Sequence, residues 1–331
     1  MDLDTGYFVS SVSGADSLFC NRQRGAVVMD VLTLRNLHKA FGRQKVLQGI
    51  DLTVPQHSIF GFIGKNGAGK TTTMKTILGL EKADAGELYI MQEPVVFGNT
   101  RTNRYIGYVS DVPEFYGFMT AWEYLQLCAE ISGLAAQKVK TRIDELLQLV
   151  GLSETGKKRC ATFSRGMKQR LAIAQGLLNE PKLLIADEPT SALDPQGRKE
   201  ILTILEKAKE KTTVLFSTHI LSDVESICDS IAILHEGKIA VSGNLHELLQ
   251  MKGTASLYVE TECEEECSLL LEALRKRGIA VQQTHPYAVQ LPDHMETQQQ
   301  VLAIVNAQGL RLQRLERMRP TLEQYFLEVT K

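Results

Sequence analysis

Nine residues, GKNGAGKTT from Gly64 to Thr72, carry the strongest chemistry in the chain. Gly64, Gly69, Lys70 and Thr71 stand at the spacing of a phosphate-binding loop. Gly64, Gly67 and Gly69 let the backbone curl with its N–H groups turned inward, where side chains at those positions would obstruct the approach of an anion. Lys65, Asn66, Ala68 and Thr72 complete the cradle. Lys70 has the reach for β- and γ-phosphates, Thr71 has the hydroxyl for magnesium, and the helix that follows aims its dipole at the same charge.

A second constellation is LLIADEPT, an apolar strand that ends in Asp187 and Glu188. A carboxylate there, beside a phosphate loop, accepts from the water shell of magnesium, which makes Asp187 the metal-side residue. Glu188 is then placed to polarise the water that attacks a γ-phosphate, the work of a general base. The plainer alternative is a carboxylate pair held by solvent at a strand end. A third feature is FSRGMKQRLAIAQ, Phe163 to Gln175, a polar turn feeding an amphipathic helix. Ser164 with Gly166 behind it suits either an anion seat or an ordinary N-cap.

These residues need a strand, a loop and a helix in that order. The pattern supplies strands at Val31 to Arg35, Val46 to Val54 and Ser58 to Ile63, then a helix over Gly69 to Leu80. Strands follow at Glu87 to Ile90 and Arg104 to Val109, and the chain reads helical from Thr120 to Val150, started by a capping box of Thr120 with Glu123. Beyond Phe163, helices alternate with strands at Lys182 to Ala186, Thr213 to Ser217, Ser230 to Leu234 and Lys238 to Val241. Such alternation predicts a mostly parallel sheet covered by helices, an α/β fold. Asp194 before Pro195 caps one of those helices.

The pattern restarts near Met251 to Thr254. Strand, helix, two strands (the first over Ile279 to Gln283), helix and strand from Ser256 to Leu315 spell a small βαββαβ unit of ferredoxin-like kind. A last helix starts at Thr321, boxed by Gln324, with Leu322, Tyr325, Phe326 and Val329 on one face, and the whole of 254–331 reads as a regulatory or dimerisation domain. Residues 1–28 read as a disordered leader, with Met29 as the natural start. The arginines at 311, 314, 317 and 319 read as a solvated face.

Length and composition narrow the function. With 331 residues and a net charge of −2, the chain has room for a large and a small domain and no basic field for nucleic acid. No apolar run approaches the roughly 18 residues of a membrane span, so a membrane role requires another subunit. Six scattered cysteines without a CxxC pair suit reduced thiols. Cys263 and Cys267 flank an acidic run that reads as a solvated helix start, with no nearby histidine to complete a metal set.

With the phosphate loop, IADEPTSALD and FSTH in this order, the chain from Met29 to Gln250 resembles the ATP-binding cassette (ABC) ATPases, the motor subunits of ABC transporters. The resemblance implies a P-loop cassette with a mostly parallel sheet, an antiparallel β-subdomain and a helical subdomain over about residues 112–165. It makes Ser164, Arg165, Gly166 and Met167 the signature turn, Ser191, Ala192, Leu193 and Asp194 the D-loop, His219 a γ-phosphate contact, and Phe41 the ring that stacks on adenine. It implies ATP and Mg2+ as ligands, and a head-to-tail dimer, of two copies or with a second ATPase, in which the signature turn of one cassette meets the γ-phosphate held by the other. Two positions depart from the family: Arg165 stands where glycine and Met167 where glutamine is usual, and Asp111 replaces a glutamine while remaining a candidate metal-side carboxylate.

The aromatic stretch from Pro113 to Leu125 falls where the family receives its membrane partner, though packing against the helical subdomain also explains such rings. The tail, with RPTLEQYFLEVT, resembles that of ATPase subunits from drug, lantibiotic and bacitracin-type exporters whose permease is a separate integral-membrane polypeptide. The expected activity is ATP hydrolysis driving export from the cytoplasmic face of a membrane. A soluble nucleotide switch in translation or DNA repair is the alternative, and relatives of that kind carry paired cassettes or long insertions that this chain lacks. A small-molecule kinase would leave the signature turn unexplained.

Overall fold

A computed structural model describes residues 29–251, 256–318 and 321–330, so the leader expected over 1–28 and the restart at 252–255 lie outside the described residues. The chain opens on a hairpin, β1 (Asp30–Phe41) and β2 (Gln44–Pro55), followed by β3 (Ile59–Ile63) and α1 (Lys70–Ile77). β4 (Ala85–Ile90) and the short β5 (Glu93–Pro94) then join the hairpin in an antiparallel sheet of order β2-β1-β4-β5. β1 runs on past the expected end at Arg35. Asn36, at φ 45°, makes a kink that polar residues advertise as a turn, yet its N–H is satisfied by Asp51 Oδ1 at 2.9 Å and pairing with β2 resumes to Phe41.

β6 (Ile106–Val109) leads into α2 (Ala121–Ile131) and α3 (Ala136–Leu149). The helical stretch expected from Thr120 to Val150 is thus two helices, broken beyond Ser132 where Gly133 takes φ +73°. Both halves of the Thr120–Glu123 capping box are made. Next come α4 (Arg165–Leu177), β7 (Leu183–Asp187), α5 (Pro195–Ala208), β8 (Thr213–Thr218), α6 (Leu221–Ile227), β9 (Ser230–His235), β10 (Lys238–Asn244) and α7 (Leu245–Met251).

The central sheet has the order β10-β9-β3-β8-β7-β6, parallel throughout except for β10. Every residue of β3, β7 and β8 is buried, which is why these strands are continuous apolar runs rather than alternating ones. The helical subdomain and one face of this sheet share a core built from Leu125, Ile143, Leu171, Ala186 and Phe216, while the antiparallel sheet packs on Phe60, Phe62, Met74 and Leu215.

The remaining elements are β11 (Ser256–Thr261), α8 (Glu264–Lys276), β12 (Gln282–His285), β13 (Ala288–Pro292), α9 (Met295–Gln308), β14 (Leu312–Met318) and α10 (Leu322–Val329). Their sheet is antiparallel with the order β12-β13-β11-β14, the ferredoxin-like arrangement, and its core joins Leu257, Val259 and Leu291 to Leu270 and Ile304 of the two helices. The expected strand at Ile279 begins instead at Gln282, because Ile279 and Val281 pack against that core as an irregular lead-in. α10 does not join this core. Leu322 and Tyr325 are buried in the core of the central sheet, and the Leu322 N–H donates to the Glu225 carboxylate of α6.

Candidate functional site

The loop from Gly64 to Gly69 links the C-terminal end of β3 to the start of α1, so the first free N–H groups of that helix open onto it. Gly64 admits no side chain: a Cβ there would lie 2.7 Å from the Leu234 carbonyl. Gly69 sits at φ 112° with Leu47 Cδ2 at 2.8 Å from where a Cβ would be, so β2 presses directly on the cradle. Lys65, Asn66 and Gly67 form the exposed rim, Ala68 is half-buried, and Lys70 lies buried beneath them.

Lys70 Nζ donates to the Gly64 carbonyl at 2.7 Å and pairs with Glu188 Oε1 at 3.2 Å. Thr71, the next residue on α1, donates through its hydroxyl to Asp187 Oδ2 at 2.9 Å; Thr72 completes the first turn. The other oxygen of Asp187 accepts from Ser217 Oγ at 2.5 Å. The sequence FSTH points to His219 alone, and the structure adds Ser217 to the site. Its signal is lateral: β7 and β8 pair in register with Asp187 opposite Ser217, a fact of strand order that no local pattern shows.

Glu188 follows the strand end with φ 48°, a left-handed backbone that a carboxylate residue adopts only when its surroundings demand it. Its N–H donates to both the carbonyl and the hydroxyl of Ser217, at 3.1 Å each. Its carboxylate lies between Lys70 on one oxygen and His219 Nδ1, at 2.9 Å, on the other. The plain solvated pair is therefore not what the strand end holds. Asp187 and Glu188 are each fixed by residues from two other elements.

The oxygens of Thr71 and Asp187 are a hard donor set of the kind that suits Mg2+. No cluster of three or more His, Cys, Asp and Glu among the described residues could hold a metal alone, so a cation here would lean on phosphate oxygens and water. Burial, and then the nearby carboxylates of Asp187 and Asp111, hold the Tyr108 phenol above its ordinary pKa.

Phe41 ends β1 with its ring half exposed and the Lys39 ammonium 4.7 Å from its centroid. The ring is a free platform backed by a cation. At the head of α4, Ser164 is an N-cap: its hydroxyl accepts from the Met167 N–H at 3.2 Å. The Met167 side chain packs into the core, leaving Arg165 and the open backbone at Gly166 facing outward. Around Gly166 the nearest atom to a built Cβ is Leu193 Cδ2 at 3.9 Å, so the 164–167 turn and the 191–194 loop are neighbours. Ser191 donates its N–H to the Glu188 carbonyl, Ala192 takes φ 52°, and Asp194 caps α5 through the Gly197 N–H at 3.2 Å. Asp111 pairs with Arg165 at 3.7 Å. No hydrogen bond or ion pair among the described residues joins the 164–167 turn to the 64–72 loop.

The aromatic stretch divides. Phe115 and Trp122 pack against the core, whereas Tyr116 and Phe118 are exposed.

A family model described as ABC transporter matches residues 47–191. The chain is 36% identical over 299 residues to an uncharacterised ABC transporter ATP-binding protein, YxlF, of Bacillus subtilis (strain 168), covering 90% of this chain and 99% of that protein. It is 44% identical over 211 residues to the bacitracin transport ATP-binding protein BcrA of Bacillus licheniformis, covering 63% of this chain and 68% of that one. A solved structure of the ATP-binding subunit of an ABC transporter superposes with a TM-score of 0.61 at 34% identity, over 67% of this chain and 92% of the other. The loop, the strand-end carboxylates and these likenesses agree, and the chain belongs to the ATP-binding subunits of ABC transporters.

Proposed function

We propose that this chain is the ATP-hydrolysing motor of an exporter whose permease is a separate membrane polypeptide, acting at the cytoplasmic face as a head-to-tail pair of cassettes. The observation that carries the hydrolytic reading is Glu188, held between Lys70 and His219 at the end of a buried strand. Phosphates entering the loop compete for the Lys70 ammonium, and its departure frees one oxygen of Glu188 to accept a proton from water. His219 keeps the other oxygen oriented. Thr71 and Asp187 would hold Mg2+, which when bound spreads the negative charge of the β- and γ-phosphates. Ser164, Arg165 and the Gly166 backbone would face the γ-phosphate bound by the opposite copy.

Support for a separate permease comes from two sides. No helix among the described residues is long and apolar enough to cross a membrane, and Tyr116 and Phe118 offer an exposed aromatic surface for a docking partner. A likeness to a bacitracin transport subunit favours export of a peptide antibiotic or similar compound. The test has two readouts. The purified chain should hydrolyse ATP, with Glu188→Gln slower by about 10²- to 10⁴-fold while still binding it. From detergent-solubilised membranes it should co-purify with an integral-membrane polypeptide of several apolar helices; recovery with ribosomes or DNA instead would favour a nucleotide switch.

A further inference from the structure

Asp111 and Arg165 are both departures from the family pattern, and the fold brings them together. Asp111 follows β6, and Arg165 is the first residue of α4. A cation at that end of a helix opposes the backbone dipole, and the first turn of α4 holds no acidic residue to offset it. The offset comes from outside the helix, from Asp111 Oδ1 at 3.7 Å from Arg165 Nη2. That distance is too long for a hydrogen bond. Asp111 Oδ1 is buried with no hydrogen-bond partner among the described residues, and both side chains are 45% exposed. One turn along α4, buried Gln169 donates to the Ser110 carbonyl at 3.4 Å. The head of α4 is thus tied to the segment after β6 by a buried amide contact and by a loose ionic one.

We infer that Asp111 and Arg165 form an exchangeable clasp that sets how readily two cassettes close on ATP. In the free subunit Asp111 neutralises Arg165. When the terminal phosphate on a facing copy reaches the head of α4, Arg165 transfers to it, because a phosphate offers more charge and a bidentate partner for the guanidinium. Asp111 is then a positioning residue that acts through Arg165. This inference rests on the head-to-tail reading given above.

The experiment measures, by light scattering on the full chain carrying Glu188→Gln, the ATP concentration at which half of the protein is dimeric. Asp111→Asn should lower that concentration about two- to fivefold, the range of a half-exposed ion pair. Arg165→Gln should raise it about tenfold or more, the loss of a hydrogen bond to a charged partner. The double variant should match Arg165→Gln alone, since Asp111 has nothing left to restrain. Exchanging the two residues, Asp111→Arg with Arg165→Asp, should keep the thermal stability of the parent and abolish the dimer, whereas a merely structural pair would be rescued in both. If the parent dimerises but Asp111→Asn leaves the ATP requirement unchanged or raises it, or if the two single effects add, the clasp is wrong and the head-to-tail reading stands. If the parent shows no ATP-dependent dimer, both fall.

Discussion

Ser217→Ala removes a hydroxyl that is wholly buried and holds Asp187 Oδ1 at 2.5 Å. The Glu188 N–H loses one acceptor but keeps the Ser217 carbonyl at 3.1 Å, so the cost falls on Asp187. Asp187 is only 4% exposed, and water reaches the vacated oxygen poorly. A hydrogen bond to a charged group contributes about 1.5–3 kcal/mol. At about 2–4 °C per kcal/mol for a domain of this size, the Tm should fall by about 3–12 °C. The same loss frees Asp187 to swing about Thr71, its one remaining side-chain partner among the described residues, so the magnesium concentration for half-maximal ATPase should rise. Thermal unfolding by circular dichroism and a magnesium titration of the ATPase rate read the two effects. An unchanged Tm together with an unchanged magnesium requirement would refute the assignment of Ser217 as the anchor of Asp187.

Two further outcomes are expected. Gly64→Ala should abolish nucleotide binding measured by calorimetry, since its Cβ would sit 2.7 Å from the Leu234 carbonyl and displace the loop, while Gly98→Ala or Gly278→Ala, where nothing stands within 4 Å but φ is positive, should lose only modest stability and still bind. Leu322→Ala in α10 should destabilise by about 2–5 kcal/mol, a wholly buried leucine traded for a cavity, and the loss should appear in the unfolding of the nucleotide-binding core rather than of the ferredoxin-like domain.

What the sequence made legible is what local spacing encodes. The cradle from Gly64 to Thr72, the strand-end pair Asp187 and Glu188, and the caps at Thr120, Asp194 and Thr321 are each short patterns whose geometry follows from their own residues. The βαββαβ order likewise survives in the ferredoxin-like sheet. Contacts that depend on which strands lie side by side were not legible. Ser217 meets Asp187 because β8 lies beside β7, and Arg165 meets Asp111 because α4 packs on β6, neither of which any window of residues reports. The stripe of Leu322, Tyr325, Phe326 and Val329 announced a buried face but not its partner, and the structure puts that face on the central core instead of the adjacent small domain.

The central claim, that each ATP is shared between the loop of one chain and the signature turn of another, is tested most directly by mixing two inactive variants. Lys70→Ala disables the loop and Ser164→Arg disables the turn. In a head-to-tail dimer the mixed pair gathers both defects in one site and leaves the other whole. Equimolar mixing then gives half mixed dimers with one working site each, so the ATPase rate should recover to about one quarter of the unmodified protein's if the two sites act independently. A mixture as inactive as either variant alone would contradict the account.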